Sequence, residues 1–139
     1  LVGSGQSADL PAIIKHNVEA VKARGARKVV FTCPSCYPIW RESYPPEFEL
    51  AHASEMVMQL VLENRLPLGE LPMTVTYHDP CDLGRGGRVF DEPREVMARI
   101  PGLKLVEMEH NRRHCLCCGG GGNPHRASLI GFAPQFHGQ

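Results

Sequence analysis

The chain has 139 residues, 42% of them hydrophobic, which is enough to bury one core or the cores of two half-domains. Lys plus Arg and Asp plus Glu number 15 each, and no basic stripe carries interleaved aromatics, so nucleic acid is not an expected partner. No apolar run approaches the roughly 18 residues of a membrane span, and residues 1–9 are polar and glycine-containing, unlike a signal peptide, so a cytoplasmic chain with no transmembrane span is expected.

Asp9-Leu10-Pro11 predicts a helix start, with Pro in the first turn. Leu10, Ile14, Val18 and Val21 follow at helical spacing, and Gly25 ends the element. Val29 to Thr32 is β-branched and aromatic, which predicts a buried strand with Cys33 at its carboxyl end. Residues 37–44 predict a short helix stopped by Pro45-Pro46. Ser54 is the expected cap of a further helix through Val57, Leu60 and Val61, ending near Leu66-Pro67. Residues 74–77 predict a strand that delivers Cys81 at its carboxyl end. Asp91 and Pro93 open a helix that Pro101-Gly102 closes, and residues 103–108 predict the last strand. Met56, Met58 and Met97 are expected in the core. The tail, residues 123–139, shows weak periodicity and no expected element.

This alternation predicts an α/β fold with Rossmann-like layers and a largely parallel sheet. Ligands of open α/β sheets gather beyond the carboxyl ends of the strands. The three cysteine clusters are expected there.

Cys33-Pro34-Ser35-Cys36 spaces two sulfurs for one metal or cluster edge, and the same spacing suits a redox dithiol. Cys81 ends His78-Asp79-Pro80-Cys81, where Pro80 fixes the backbone and His78 is expected to support a ligand rather than be one. Cys117-Cys118 runs into Gly119-Gly120-Gly121-Gly122. Adjacent cysteines point in different directions; they suit two irons of an open cluster better than one tetrahedral zinc. Gly119 and Gly120 let backbone N–H groups approach a bulky cofactor.

Cys115 is expected to stand aside. His110 and His114 are expected at the surface or near the ligands. His16, His52, His125 and His137 are expected mostly in solvent. Arg85 and Arg88, among Gly84, Gly86 and Gly87, suit either an anionic group or a solvated loop. Tight clustering favours metal ligation over disulfides. Three chemistries stay open on these residues alone: an iron–sulfur cluster; a structural zinc site, for example on Cys33, Cys36, Cys81 and Cys117; and a metal-free thiol–disulfide oxidoreductase using Cys33 and Cys36.

Residues 9–122 resemble the cysteine-rich CCG domain family, which includes a heterodisulfide reductase component and the iron–sulfur components of glycolate oxidase and anaerobic glycerol-3-phosphate dehydrogenase. The resemblance rests on Tyr77-His78-Asp79-Pro80-Cys81, Leu83-Gly84-Arg85, Glu92-Pro93-Arg94, the 35 residues between Cys81 and Cys117, and Cys117-Cys118-Gly119. Thr32-Cys33-Pro34-Ser35-Cys36-Tyr37 is similar to the closing Cys-x-x-Cys of a preceding CCG domain.

The resemblance implies that residues 1–66 are the latter half of one CCG domain, residues 67–122 the first half of a second, and residues 123–139 an irregular tail. It implies a noncubane [4Fe-4S] cluster on Cys81, Cys117 and Cys118, with Cys33 and Cys36 in the neighbouring site and zinc as the alternative metal. It implies a component of a heterodisulfide reductase-like, 2-hydroxy-acid or glycerol-phosphate oxidoreductase. A flavoprotein or ferredoxin-like subunit, and a membrane-associated partner, are the expected company. The chain departs from the pattern in lacking a Cys-Cys-Gly before Cys33 and a Cys-x-x-Cys after Cys118, so a fragment of a longer chain is expected.

Overall fold

The computed structural model describes residues 7–118. These fall into two units. Among the described residues, one comprises 7–24 and 117–118, and the other 25–116.

In the first unit, a 3-10 turn at Ser7–Asp9 leads into α1, Leu10–Ala23. Pro11 fits because first-turn N–H groups have no helical partner. Val18 is buried, while Lys15 and Glu19 pair one turn apart on the exposed face.

The second unit begins at Gly25, whose φ of +66° stops the helix at little steric cost. It contains β1 (Lys28–Phe31), α2 (Cys36–Ser43), β2 (Glu49–His52) and α3 (Ala53–Leu62). Then come β3 (Met73–Val75), a π turn (Asp82–Gly86), α4 (Glu92–Ala98), β4 (Leu103–Leu105) and a 3-10 turn at Arg112–His114. β1 pairs with β2 and β3 with β4, both in parallel. The chain is therefore mixed α/β with two small parallel sheets. The expected larger sheet is divided into these two pairs among the described residues.

β2 has no counterpart in the sequence reading. Glu49-Leu50-Ala51-His52 lacks β-branched residues, and its strand character comes from pairing. Lys28 lies opposite Glu49 in the register, with their charged groups 2.7 Å apart.

The cap of α3 also differs from expectation. His52, not Ser54, is the N-cap. Its Nδ1 accepts from the Ser54 N–H at 3.3 Å, and its own N–H donates to the Glu55 carboxylate at 2.7 Å. The helix ends at Leu62 rather than near Leu66. Asn64 adopts φ +55°, and the N–H groups of Asn64 and Arg65 return to the carbonyls of Val61 and Leu60. This Schellman arrangement stops the helix ahead of Pro67. The strands expected over residues 74–77 and 103–108 are shorter, at Met73–Val75 and Leu103–Leu105. Met56 is exposed, and Met58 and Met97 are half-buried, so none belongs to the fully buried core.

Phe31, Tyr37, Leu83 and Val89 form that core, with Val29, Trp40 and Leu50 packed against it. Burying each such side chain contributes about 1.5–3 kcal/mol. Because Phe31 and Tyr37 flank Cys33 and Cys36, and Leu83 follows Cys81, the core itself brings these cysteine loops together.

Candidate metal centre

β1 delivers the chain to Cys33, and α2 begins at Cys36. The Tyr37 N–H closes the intervening loop on the Cys33 carbonyl at 3.4 Å. The two thiols are hydrogen-bonded to each other. The bond from Cys36 holds Cys33 below the usual thiol pKa, and the same bond, with burial, pushes Cys36 above it. One proton shared between neighbouring sulfurs produces this split, and Cys33 carries the greater thiolate character. Both cysteines are exposed.

Cys81 is half-buried and immediately precedes the π turn. The Gly87 N–H bonds the Asp82 carbonyl at 2.7 Å, the five-residue reach that defines this turn. Gly87 has no room for a side chain, since a Cβ there would lie 2.4 Å from the Leu83 carbonyl oxygen.

Two sets of bonds join this turn to the Cys33–Cys36 loop. Ser35 Oγ donates to the Asp82 carboxylate. Arg41, on α2, donates to the carbonyls of Gly86 at 2.8 Å and Gly87 at 2.9 Å. Cys33, Cys36 and Cys81 thus lie on adjoining loops beyond β1 and β3.

A second group of residues fixes the backbone around Cys81. Asp79 is 1% exposed and Arg94 is 6% exposed; their two-pronged ion pair has both N···O distances at 2.7 Å. Arg94 also reaches Glu107 at 2.5 and 2.9 Å and the Phe90 carbonyl at 2.7 Å, and it lies over the Tyr77 ring. Asp79 accepts the Arg112 N–H at 2.6 Å. Burial pushes the Asp79 carboxyl up, but the Arg94 and Arg112 bonds outweigh it and hold the pKa below its ordinary value. The Arg94 bonds also lower Glu107, and the Asp79 bonds, with those to Glu107, raise Arg94. Nothing local in the sequence pairs the members of this network, although Asp79 and Arg94 lie in segments that carry the resemblance. Its available signal was Arg94 at helical spacing with apolar Met97 on α4, a position that calls for a buried partner.

The loop after β4 returns toward Cys81. His78 Nε2 donates to the Leu116 carbonyl at 3.0 Å, and Arg85 to the Cys115 carbonyl at 3.2 Å. Cys115 is 3% exposed, which removes its sulfur from the accessible set. His52 is buried rather than solvated, and burial lowers its pKa. Cys117 and Cys118 are exposed and belong to the other unit. Gly119 and Gly120 lie outside the described residues.

The donor chemistry suits a soft metal. None of the six cysteines is in a disulfide, and Cys33, Cys36, Cys81, Cys117 and Cys118 are all at least partly accessible. Among the described residues, no three His, Cys, Asp or Glu side chains converge on one point. The residues fit in donor type, and Cys33 with Cys36 fits as a two-thiol edge; a full ligand set does not close within the described segment.

Residues 75–130 match the CCG family, described as a cysteine-rich domain. The chain carries a cysteine-rich CCG domain. This domain begins in β3 and takes in Cys81, the π turn and the Cys115–Cys118 cluster. Similar curated proteins include one component of the dihydromethanophenazine:CoB–CoM heterodisulfide reductase of Methanosarcina acetivorans, 42% identical over 117 residues, 79% of this chain and 29% of that protein. The probable iron–sulfur-binding oxidoreductase FadF of Bacillus subtilis is 38% identical over 79% of this chain and 16% of its own length. The EtfAB:quinone oxidoreductase of Syntrophomonas wolfei is 34% identical over the same shares. The chain therefore spans less than a third of the curated relatives it matches. No solved structure gives a significant match. Among the described residues, no helix is long and apolar enough to cross a membrane.

Proposed function

We propose that this chain is part of an iron–sulfur electron-transfer or disulfide-reducing subunit of a larger oxidoreductase. In this reading Cys81, Cys117 and Cys118 hold one noncubane [4Fe-4S] cluster, with backbone N–H groups of Gly119 and Gly120 beside it. Cys33 and Cys36 supply two thiolates of a neighbouring site. Residues 1–66 are then the latter half of a first CCG domain, residues 67–122 the first half of a second, and residues 123–139 a tail. The two parallel strand pairs are read as parts of Rossmann-like layers. A flavoprotein or ferredoxin-like subunit would exchange electrons with it, and a membrane-associated partner would complete the assembly.

The observation that carries this reading is the side-by-side packing of the Cys33–Cys36 loop and the Cys81 turn through Ser35, Asp82 and Arg41. It occurs in a chain whose relatives include a heterodisulfide reductase subunit and a probable iron–sulfur-binding oxidoreductase. A cluster held here would supply single-electron chemistry. The chain's own part is to present thiolates on backbone fixed by the aromatic core and by the Asp79–Arg94 pair. The test is anaerobic purification of the full-length protein, with iron and acid-labile sulfide assayed and paramagnetic resonance recorded on the reduced and oxidised forms. Iron and sulfide in cluster stoichiometry, reduced by Cys81→Ser and Cys117→Ser, are expected. Zinc at one per chain with no visible absorption would overturn the reading in favour of a structural metal site.

A second reading rests on the split thiol pair. Cys33, held toward thiolate by Cys36, suits attack on a disulfide, with Cys36 as the resolving thiol. It predicts thiol–disulfide exchange in metal-free protein that Cys33→Ser abolishes.

A further inference from the structure

We propose that Arg85, Arg88 and Arg113 form a receptor for the phosphate dianion of a small phosphorylated molecule. The three guanidinium side chains and the Phe90 ring line a cavity of about 370 Å³ beside the π turn. That volume lies at the lower end of the roughly 300–1,000 Å³ found for small-molecule sites. None of the described lining residues is acidic.

The charge pattern sets these arginines apart from most others in their unit; Arg27 also faces no carboxylate among the described residues, but it does not line this cavity. Arg65, Arg94, Arg99 and Arg112 each face a carboxylate, and Arg41 is committed to two backbone carbonyls. Arg85 gives one N–H to the Cys115 carbonyl, which fixes its direction without neutralising it. Arg88 and Arg113 have no carboxylate partner among the described residues. Three like charges around one concavity repel each other, and a doubly charged oxyanion relieves that repulsion while accepting charge-assisted hydrogen bonds.

The backbone holds this arrangement in place. Arg88 sits at φ +61°, a conformation a non-glycine residue seldom adopts without reason. Its N–H bonds the Gly84 carbonyl at 2.8 Å, just after the carbonyls that Arg41 clamps. Phe90 packs directly over Gly84, where an added Cβ would lie 2.7 Å from the ring. A half-buried aromatic wall beside three cations fits an organic phosphate better than a bare ion. A concave site of this size also favours a small molecule over an acidic protein surface. Arg85 lies four residues beyond Cys81, so the phosphate would sit on the turn that carries this cysteine. The inference holds whatever the cysteines bind.

The test is isothermal titration of phenyl phosphate into the full-length protein, with benzoate as the singly charged analogue and inorganic phosphate as the ring-free one. One saturable site is expected for phenyl phosphate, with benzoate at least tenfold weaker and inorganic phosphate several-fold weaker. Arg88→Gln and Arg113→Gln should each weaken binding about tenfold or more. Arg88→Lys should recover part of the loss, and Arg24→Gln, on the other unit, should leave binding unchanged. Thermal melts establish that each variant folds; if Arg88→Gln does not, Arg113→Gln carries the test. The proposal is overturned by absence of saturable binding, by both Gln variants binding like the parent, or by equal weakening in Arg24→Gln. Binding of a poly-glutamate peptide at these arginines that phenyl phosphate fails to displace would also overturn it, identifying a protein-docking surface instead.

Discussion

The loop after β1 and the turn after β3 each carry cysteine away from a parallel strand, but different forces hold them. Around Cys33 and Cys36 the support is aromatic. Phe31 packs against Tyr37 and Trp40, and Trp40 stacks on Tyr44 with ring centroids 4.0 Å apart. Around Cys81 the support is ionic, with Arg94 gripping Asp79 and Glu107. Each region also has an arginine over a tyrosine ring: Arg41 over Tyr37 and Arg94 over Tyr77. Arg41 is exposed and spends its donors on backbone. Arg94 is buried and spends most of its donors on charge. Apolar packing is indifferent to pH, whereas a buried ion pair depends on both partners staying charged. One side of the site is therefore expected to tolerate acid and the other to fail in it.

The largest effect should come from Arg94→Met. It leaves Asp79 buried without its partner and should cost about 3–5 kcal/mol in urea unfolding of the full-length protein. The double variant Asp79→Asn with Arg94→Met keeps an acceptor for the Arg112 N–H and should recover much of that loss. If Arg94→Met leaves the midpoint unchanged, the ionic account of the Cys81 region is wrong. Phe31→Ala, on the aromatic side, should cost about 3 kcal/mol, with a loss that stays constant between pH 3 and 8.

Acid sharpens the contrast. Asp79 and Glu107 have folded-state pKa values below their ordinary ones. Their contribution is complete above the ordinary carboxylate range and is lost as pH falls through the lowered folded values. Unfolding midpoints should therefore drop below about pH 4, and this drop should shrink in the Asp79→Asn, Arg94→Met double variant. A full-sized drop in that variant would place the acid-sensitive groups elsewhere.

Smaller effects probe the junction and the thiols. Arg41→Gln removes exposed bonds to the Gly86 and Gly87 carbonyls and should cost about 1 kcal/mol. In metal-free protein, iodoacetamide at pH 8 should label Cys33 several-fold faster than Cys36, read by peptide mass spectrometry, and Cys36→Ala should slow Cys33. Equal rates for the two cysteines would remove the reason to treat them as an unequal pair.

What was legible in the sequence follows the same division. The start of α1 at Asp9-Leu10-Pro11, its stop at Gly25, and the apolar run of β1 are local signals, and the structure follows them. The approach of the Cys33–Cys36 loop to Cys81 is also in keeping with both lying beyond strand ends. β2 escaped notice because its residues have no strand preference and take their form from β1. Asn64 stopped α3 without a glycine, and the π turn hid inside a glycine-rich stretch that reads as loop. The Asp79–Arg94–Glu107 network is a tertiary fact. Its members are separated by 15 and 13 residues; Asp79 and Arg94 stand in the Tyr77–Cys81 and Glu92–Arg94 segments that carry the resemblance, but nothing local pairs them with each other.

The position of Asp79 also has a consequence for synthesis from the N-terminus. The aromatic cluster from Phe31 to Phe48 is local and can assemble as soon as that stretch leaves the ribosome. Asp79 waits for Arg94 and then for the Arg112 N–H, 33 residues downstream. At about 5–20 residues per second, that interval is roughly 2–7 s. The turn bearing Cys81 is thus made before the groups that hold it, and its thiol spends those seconds outside its final geometry.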